Sequence, residues 1–179
     1  MPAPVALTGV PGTGKSTTAA RLATRLRTLE VAELATDWGF ARRTGDGVTV
    51  DLEGMRHRFR QRPPEADLVV GHLAHLLPVR DVIVLRCHPG VLVDRLKRAG
   101  RGSEQDRRTN YVAEAVDVVL GEALGPRRRV WEVDTTHRSP EGVARVVSRL
   151  WRRRPPQRVG TVNWLADPAV TEHLLEWAE

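Results

Sequence analysis

The sequence predicts an α/β fold, a parallel sheet with helices on both faces. Three observations carry this expectation. Short apolar runs of strand length recur at residues 4–8, 67–71, 81–86 and 129–133, each bounded by polar residues, as central strands of a parallel sheet are. Between them, apolar residues recur at three- and four-residue spacing, the period of one helix face. The first run also opens through a glycine-rich turn directly into the first such stretch, and strands alternating with helices define a layered α/β domain.

Residues 4–8 read as a buried strand. From 15 to 29, Ala19, Leu22, Ala23, Leu26 and Leu29 predict a helix with arginines on its other face. Residues 31–40 predict a strand end followed by a short helix, 44–47 (Thr-Gly-Asp-Gly) a turn, and 48–51 a short extended piece. Residues 51–61 are helical in pattern and stop at Pro63-Pro64. After two strands at 67–71 and 81–86, His88-Pro89 opens a helix reaching about Ala99, with proline in the first turn where no amide is needed. A polar, arginine-rich segment over 100–109 leads to a long helix predicted over 110–124, and 129–133 is the last strand. Ser139-Pro140-Glu141 caps the next helix, the serine oxygen accepting an amide hydrogen bond. The run Arg152-Arg153-Arg154-Pro155-Pro156 marks a boundary, giving one domain over 1–156 and an appendix over 157–179, with Trp164 and Trp177, either packed on the domain or flexible.

Composition excludes several classes. One cysteine, Cys87, rules out an intramolecular disulfide framework and a multi-cysteine zinc site. No apolar run approaches the ~18 residues a membrane span requires. The N-terminus lacks the charged head and long apolar core of a signal peptide, so the chain reads as cytoplasmic and without a membrane partner. The formal charge is +6, spread evenly between the two halves, and the basic residues are arginines apart from Lys15 and Lys97. Much of that bias is what a GC-rich genome produces. The distributed charge favours polyanionic ligands, nucleotides or RNA, without choosing between them.

The most specific signal is Gly9-Val10-Pro11-Gly12-Thr13-Gly14-Lys15-Ser16, a full G-x-x-x-x-G-K-[ST] phosphate-binding loop between a predicted strand and a predicted helix. Gly12 and Gly14 let the backbone turn so that successive amides face an anion. The helix that begins here adds its positive end. Lys15 reaches the β- and γ-phosphates of ATP, the Ser16 hydroxyl ligates Mg2+, and Thr17 bonds the α-phosphate. The fold class sharpens to a three-layer P-loop fold with a five-stranded parallel sheet.

The loop together with His72-Leu73-Ala74-His75-Leu76-Leu77 and Val84-Leu85-Arg86-Cys87-His88-Pro89 resembles the archaeal adenylate kinase family related to the eukaryotic coilin-interacting nuclear ATPase. Arg95-Leu96, Asn110 with Ala113-Glu114-Ala115, Gly121-Glu122-Ala123, Asp134-Thr135-Thr136 and the tail Gly160-Thr161-Val162-Asn163-Trp164 extend the resemblance over nearly the whole chain. The resemblance implies phosphoryl transfer from ATP to a nucleoside monophosphate, mainly AMP, together with ATPase activity. It also implies a role in small ribosomal subunit maturation, with a platform ribosomal protein and pre-ribosomal RNA as partners. It places a monophosphate-binding insert at about 31–55 and a short lid at about 100–110.

Three departures from the family pattern stand out. Val70 occupies the place of an acidic residue that holds Mg2+ through water. Leu34-Ala35 is followed by Thr36 and Asp37 where an arginine often stands, leaving Arg42 or Arg43 for the acceptor phosphate. The lid reads Arg98-Ala99-Gly100-Arg101-Gly102-Ser103, one residue longer than the family pattern, with Arg101 as its arginine and Arg98 as the alternative. These departures favour, as competing readings, a nucleotide-gated ribosome assembly ATPase with little kinase activity, or a kinase of another small metabolite.

His72 follows a strand's carboxyl end, where open α/β sheets place ligands. It positions water or senses the γ-phosphate, or else it is a hydrogen-bonded structural histidine. His75, His88 and Cys87 read as structural. Arg127-Arg128-Arg129 and Arg152-Arg153-Arg154 read as helix ends or solvated faces rather than an RNA surface.

Overall fold

A computed structural model describes residues 3–44 and 47–176. Its centre is a five-stranded, wholly parallel sheet in the order β2-β5-β1-β6-β7, built from β1 (Val5–Thr8), β2 (Thr28–Glu30), β5 (Leu68–Val70), β6 (Asp81–Arg86) and β7 (Arg129–Asp134). A separate antiparallel pair, β3 (Ala41–Thr44) and β4 (Gly47–Val50), stands beside it. The turn expected at 44–47 has its centre, residues 45–46, outside the described residues, as Trp177 is.

Alternation along the strands sorts the core into two layers, because successive side chains leave a strand on opposite faces. Ala6, Val69, Val82, Val84 and Val130 face one layer, which α2 (Val31–Asp37), α3 (Leu52–Gln61) and α6 (Val118–Ala123) close with Leu34, Met55, Phe59 and Leu120. Val5, Leu7, Leu68, Ile83, Leu85 and Trp131 face the other, closed by α1 (Lys15–Leu22) and α7 (Pro140–Arg153) through Ala19, Leu22, Val143 and Val147. Helices α4 (Pro89–Arg98) and α5 (Glu104–Ala115) pack on one another beyond β6.

Three sequence expectations change. The helix expected over 15–29 ends at Leu22, and Thr28–Glu30 becomes β2, paired in parallel with Leu68–Val70. A helical period that continues through Leu26 and Leu29 is overridden by a strand partner some forty residues away. The long helix expected over 110–124 is two helices. The first, α5, starts earlier, where Ser103 and Asp106 form a reciprocal capping box. It ends at Ala115, and a left-handed Asp117 (φ 59°), whose carboxylate pairs with Arg86, turns the chain into the second helix. Residues 104–110, expected as a polar lid segment, are therefore helical. Strand β3 was not foreseen.

The basic runs do structural work. Arg129 and Arg154 both pair with the buried Asp81 carboxylate, at 2.7 and 2.6 Å, and Arg128 donates to the Leu77 and Ala123 carbonyls. Residues 157–176 lie on the domain. The segment at Arg158 bridges to Trp131, and in α8 (Pro168–Glu176) Val170 packs with Tyr111 and Ala115. No helix among the described residues is long and apolar enough to cross a membrane.

Candidate active site

The site forms at the carboxyl ends of the parallel strands. The chain leaves β1 at Gly9, whose φ of 141° places the Cβ of any other residue 2.4 Å from the Leu85 carbonyl oxygen, so only glycine lets the loop pass β6 this closely. Gly14, at φ 98°, turns the chain into α1 with its first amides open toward the loop. Thr13 ties the turn internally, its hydroxyl donating to the Val10 carbonyl at 2.9 Å.

Inside the loop, Lys15 Nζ donates to the carbonyls of Gly9 (2.8 Å) and Val10 (3.0 Å). Burial pushes this ammonium down from its ordinary value to about 8, Arg101 adds to the depression, and Glu30 and Glu114 oppose it. The lysine is thus a desolvated cation resting on carbonyls of the loop.

A cavity of about 1130 Å³ opens over the loop. It exceeds the roughly 300–1,000 Å³ of a site for one small ligand. Residues 11–18 line it, so Gly12, Gly14, Lys15, Ser16 and Thr17 come together on one cavity. On the β6–β7 side stand Arg95, Arg101, Asn110, Thr135 and Arg138, and on the β2–β5 side Glu30, Val31, Ala32, Gly71, His72 and Leu73.

The sequence candidates fare unequally. Arg101 lines the cavity, while the alternative Arg98 does not, its Nε donating to the Asp94 carbonyl on α4. His72 lines it too, and partial burial, then Lys15 and His75, lower its pKa below the ordinary imidazole value. Arg42 and Arg43 stand on β3, outside the cavity lining. Arg95 is committed to the loop after β7, donating to the Thr135 hydroxyl (3.1 Å) and carbonyl (2.7 Å). That hydroxyl in turn lies 3.1 Å from the Thr13 carbonyl, which fastens the phosphate-binding loop to β7. His75 is structural, bridging the Thr8 hydroxyl and Glu122 at 2.9 Å each.

Sequence reasoning missed Glu30. It ends β2 directly beside Val70 in the sheet register and lines the cavity together with Ser16. Burial raises its pKa, against the lowering effect of Ser16. The available signal was an acid at the carboxyl end of a strand, hidden because the helical period ran through Leu29.

Comparison with known proteins sets this site in context. A model of the AAA domain family matches residues 5–117. "Putative adenylate kinase" of Archaeoglobus fulgidus is 41% identical over 170 residues, covering 91% of this chain and 92% of that protein. The chain belongs to this archaeal family. The protein of the same name from Thermococcus onnurineus is 38% identical over 163 residues, covering 89% of this chain and 90% of its own length. Among solved structures, shikimate kinase from Bacteroides thetaiotaomicron superposes with a TM-score of 0.51 at 17% identity, over 84% of this chain and 98% of that one. An uncharacterized protein from Eubacterium ventriosum gives 0.52 at 10% identity, over 85% and 99%. These two likenesses show the fold alone, a three-layer α/β P-loop fold. The chain is thus a member of that family with a three-layer α/β P-loop fold.

Proposed function

We propose that the chain transfers the γ-phosphoryl group of ATP to a nucleoside monophosphate, AMP in the first instance, with ATP hydrolysis as an accompanying activity. The observation that carries this reading is that Lys15 and Arg101 address one cavity large enough for a donor and an acceptor. The relatives' shared name agrees with it.

Phosphoryl transfer asks a protein mainly for positioning and charge neutralisation. In this reading the loop amides and Lys15 hold the β- and γ-phosphates, Thr17 bonds the α-phosphate, and Arg101 neutralises charge on the transferring group. His72 stands across from them and orients the acceptor or a water. The oxygen-donor chemistry of Ser16 suits Mg2+, and among the described residues no group of three His, Cys, Asp or Glu side chains competes for a metal. When bound, Mg2+ would supply neutralisation of the polyphosphate charge. An acceptor phosphate oxygen then attacks the γ-phosphorus, the bond to the β-phosphate oxygen breaks, and AMP and ATP become two ADP.

The test mixes the chain with ATP, AMP and Mg2+. The expected result is ADP well above an ATP-only control, and its absence removes the kinase half of the reading. One observation favours a second reading. Among the described residues, the β2–β5 side of the cavity offers no arginine to an acceptor phosphate, and Arg42 and Arg43 stand on β3 outside the lining, although Val50 of the paired strand β4 reaches it. That favours a nucleotide-gated ATPase acting in small ribosomal subunit maturation, or a kinase of another small metabolite. Phosphate release from ATP alone, with nucleotide-sensitive capture of a platform ribosomal protein, distinguishes the former. A screen of phosphate acceptors distinguishes the latter.

A further inference from the structure

A carboxylate in a cavity built for polyphosphate is a physical problem. Glu30 lines the same space as Lys15 and the loop amides, so an arriving triphosphate meets a like charge there. The conflict disappears when a divalent cation sits between the two anions. The hydroxyl that ligates such a cation in phosphate-binding loops belongs here to Ser16, which lines the same cavity as Glu30.

The other acid of the cavity lining, Asp106, already holds a local partner through one of its oxygens. The Asp106 carboxylate closes the cap of α5, accepting from the Ser103 amide and hydroxyl at 2.8 Å each. Val70, the cross-strand neighbour of Glu30, is buried and offers no oxygen. A small hard cation in a phosphate site takes one or two carboxylates beside phosphate oxygens and water. Glu30 meets that need from the end of a strand, a rigid position at the level of the loop.

We infer that Glu30 holds, directly or through one water, the divalent cation that Ser16 ligates, so that the metal-side carboxylate is supplied by β2. This rests on the reading of residues 9–16 as the nucleotide site. It assigns the residue that makes nucleotide binding depend on metal.

The test uses the full chain, Mn2+ as a paramagnetic stand-in for Mg2+, and a non-hydrolysable ATP analogue. Two quantities are measured: analogue affinity in EDTA, and Mn2+ affinity by electron paramagnetic resonance with the analogue saturating. Glu30→Gln keeps the shape and removes the charge. The expected result is analogue binding in EDTA at least as tight as in the unsubstituted chain, with Mn2+ bound at least about tenfold more weakly, the scale typical of losing a metal-orienting group. Glu30→Asp, which keeps the charge on a shorter arm, retains more Mn2+ affinity than Glu30→Gln. Mn2+ affinity within about twofold of the unsubstituted chain in both variants overturns the assignment, as does equal weakening of analogue in EDTA and of Mn2+, which marks a structural role. Failure of the unsubstituted chain to bind the analogue in EDTA and in Mn2+ overturns the nucleotide-site reading itself.

Discussion

The indole Nε1 of Trp164 donates to the Glu114 carboxylate at 3.0 Å, on the same oxygen that accepts from Arg86 Nε at 2.7 Å and from the Cys87 amide at 3.1 Å. Three distant segments therefore meet on one buried atom: the tail, the end of β6 and helix α5. Arg86 is itself 1% exposed and completes its fork on Glu132 at 2.7 Å and on Asp117. Glu132 also accepts from the Thr161 amide at 2.9 Å, a second tie to the tail.

Removing the two partners of this contact has different consequences. Trp164→Phe deletes one donor to a charged acceptor and leaves Arg86 paired, a loss of about 1.5–3 kcal/mol in urea unfolding. Glu114→Ala strips three donors and unbalances a buried guanidinium, a loss of about 3–5 kcal/mol. Because both changes touch the same bond, the double variant loses less than the sum of the singles. Simple additivity in the double-mutant cycle contradicts the shared contact.

His75 makes stability depend on pH. Burial, reinforced by Arg128 and partly offset by Glu122, lowers its pKa in the folded chain. The unfolded chain therefore takes the proton first as the pH falls. Stability is full above the unfolded imidazole value of about 6.5 and declines below it, toward the lower folded value. His72 is shifted in the same direction. Denaturation midpoints measured at about pH 7.5 and about pH 5.5 fall between the two conditions, and His75→Gln narrows the difference. An unchanged difference in that variant removes His75 from the account.

Lys15→Ala leaves the loop without its mobile charge. Catalytic efficiency toward ATP falls by about 10²–10³-fold, the cost typical of deleting one group that stabilises developing charge. Lys15→Arg does not restore it, since a planar fork replaces a compact ammonium in a site closed around Gly9 and Val10. Steady-state rates of both variants, with circular dichroism to confirm folding, decide this.

Cys87 is fully buried, and burial pushes its thiol up to about 11. A thiol so placed is neutral and shielded. A disulfide reagent at about pH 8 leaves the folded chain unmodified and labels one thiol per chain in denaturant. Rapid labelling without denaturant contradicts the buried placement.

What the sequence discloses is mostly local. The strands at Val5–Thr8 and Asp81–Arg86 and the loop at residues 9–16 announce themselves by composition and spacing, because their local patterns agree with the pairing they adopt. Strand β2 does not, because Leu26 and Leu29 continue a helical period and only pairing with Leu68–Val70 decides otherwise. The break between α5 and α6 depends on Arg86, about thirty residues away in the chain. The same limit divides the site. Arg101 stands in the cavity lining and Arg42 and Arg43 do not, a distinction between arginines that no local pattern carries. Glu30 was invisible for as long as the strand it ends was.

Asp117 answers two demands with one side chain. Its left-handed backbone suits glycine or asparagine, and its place beside Arg86 calls for a carboxylate. Among the codons one base from aspartate, glycine eases the backbone and forfeits the charge. Asparagine accepts the turn and also forfeits the charge, whereas glutamate keeps the charge and strains the turn. None of these three neighbours meets both demands. The position therefore couples the turn between α5 and α6 to the charge of Arg86.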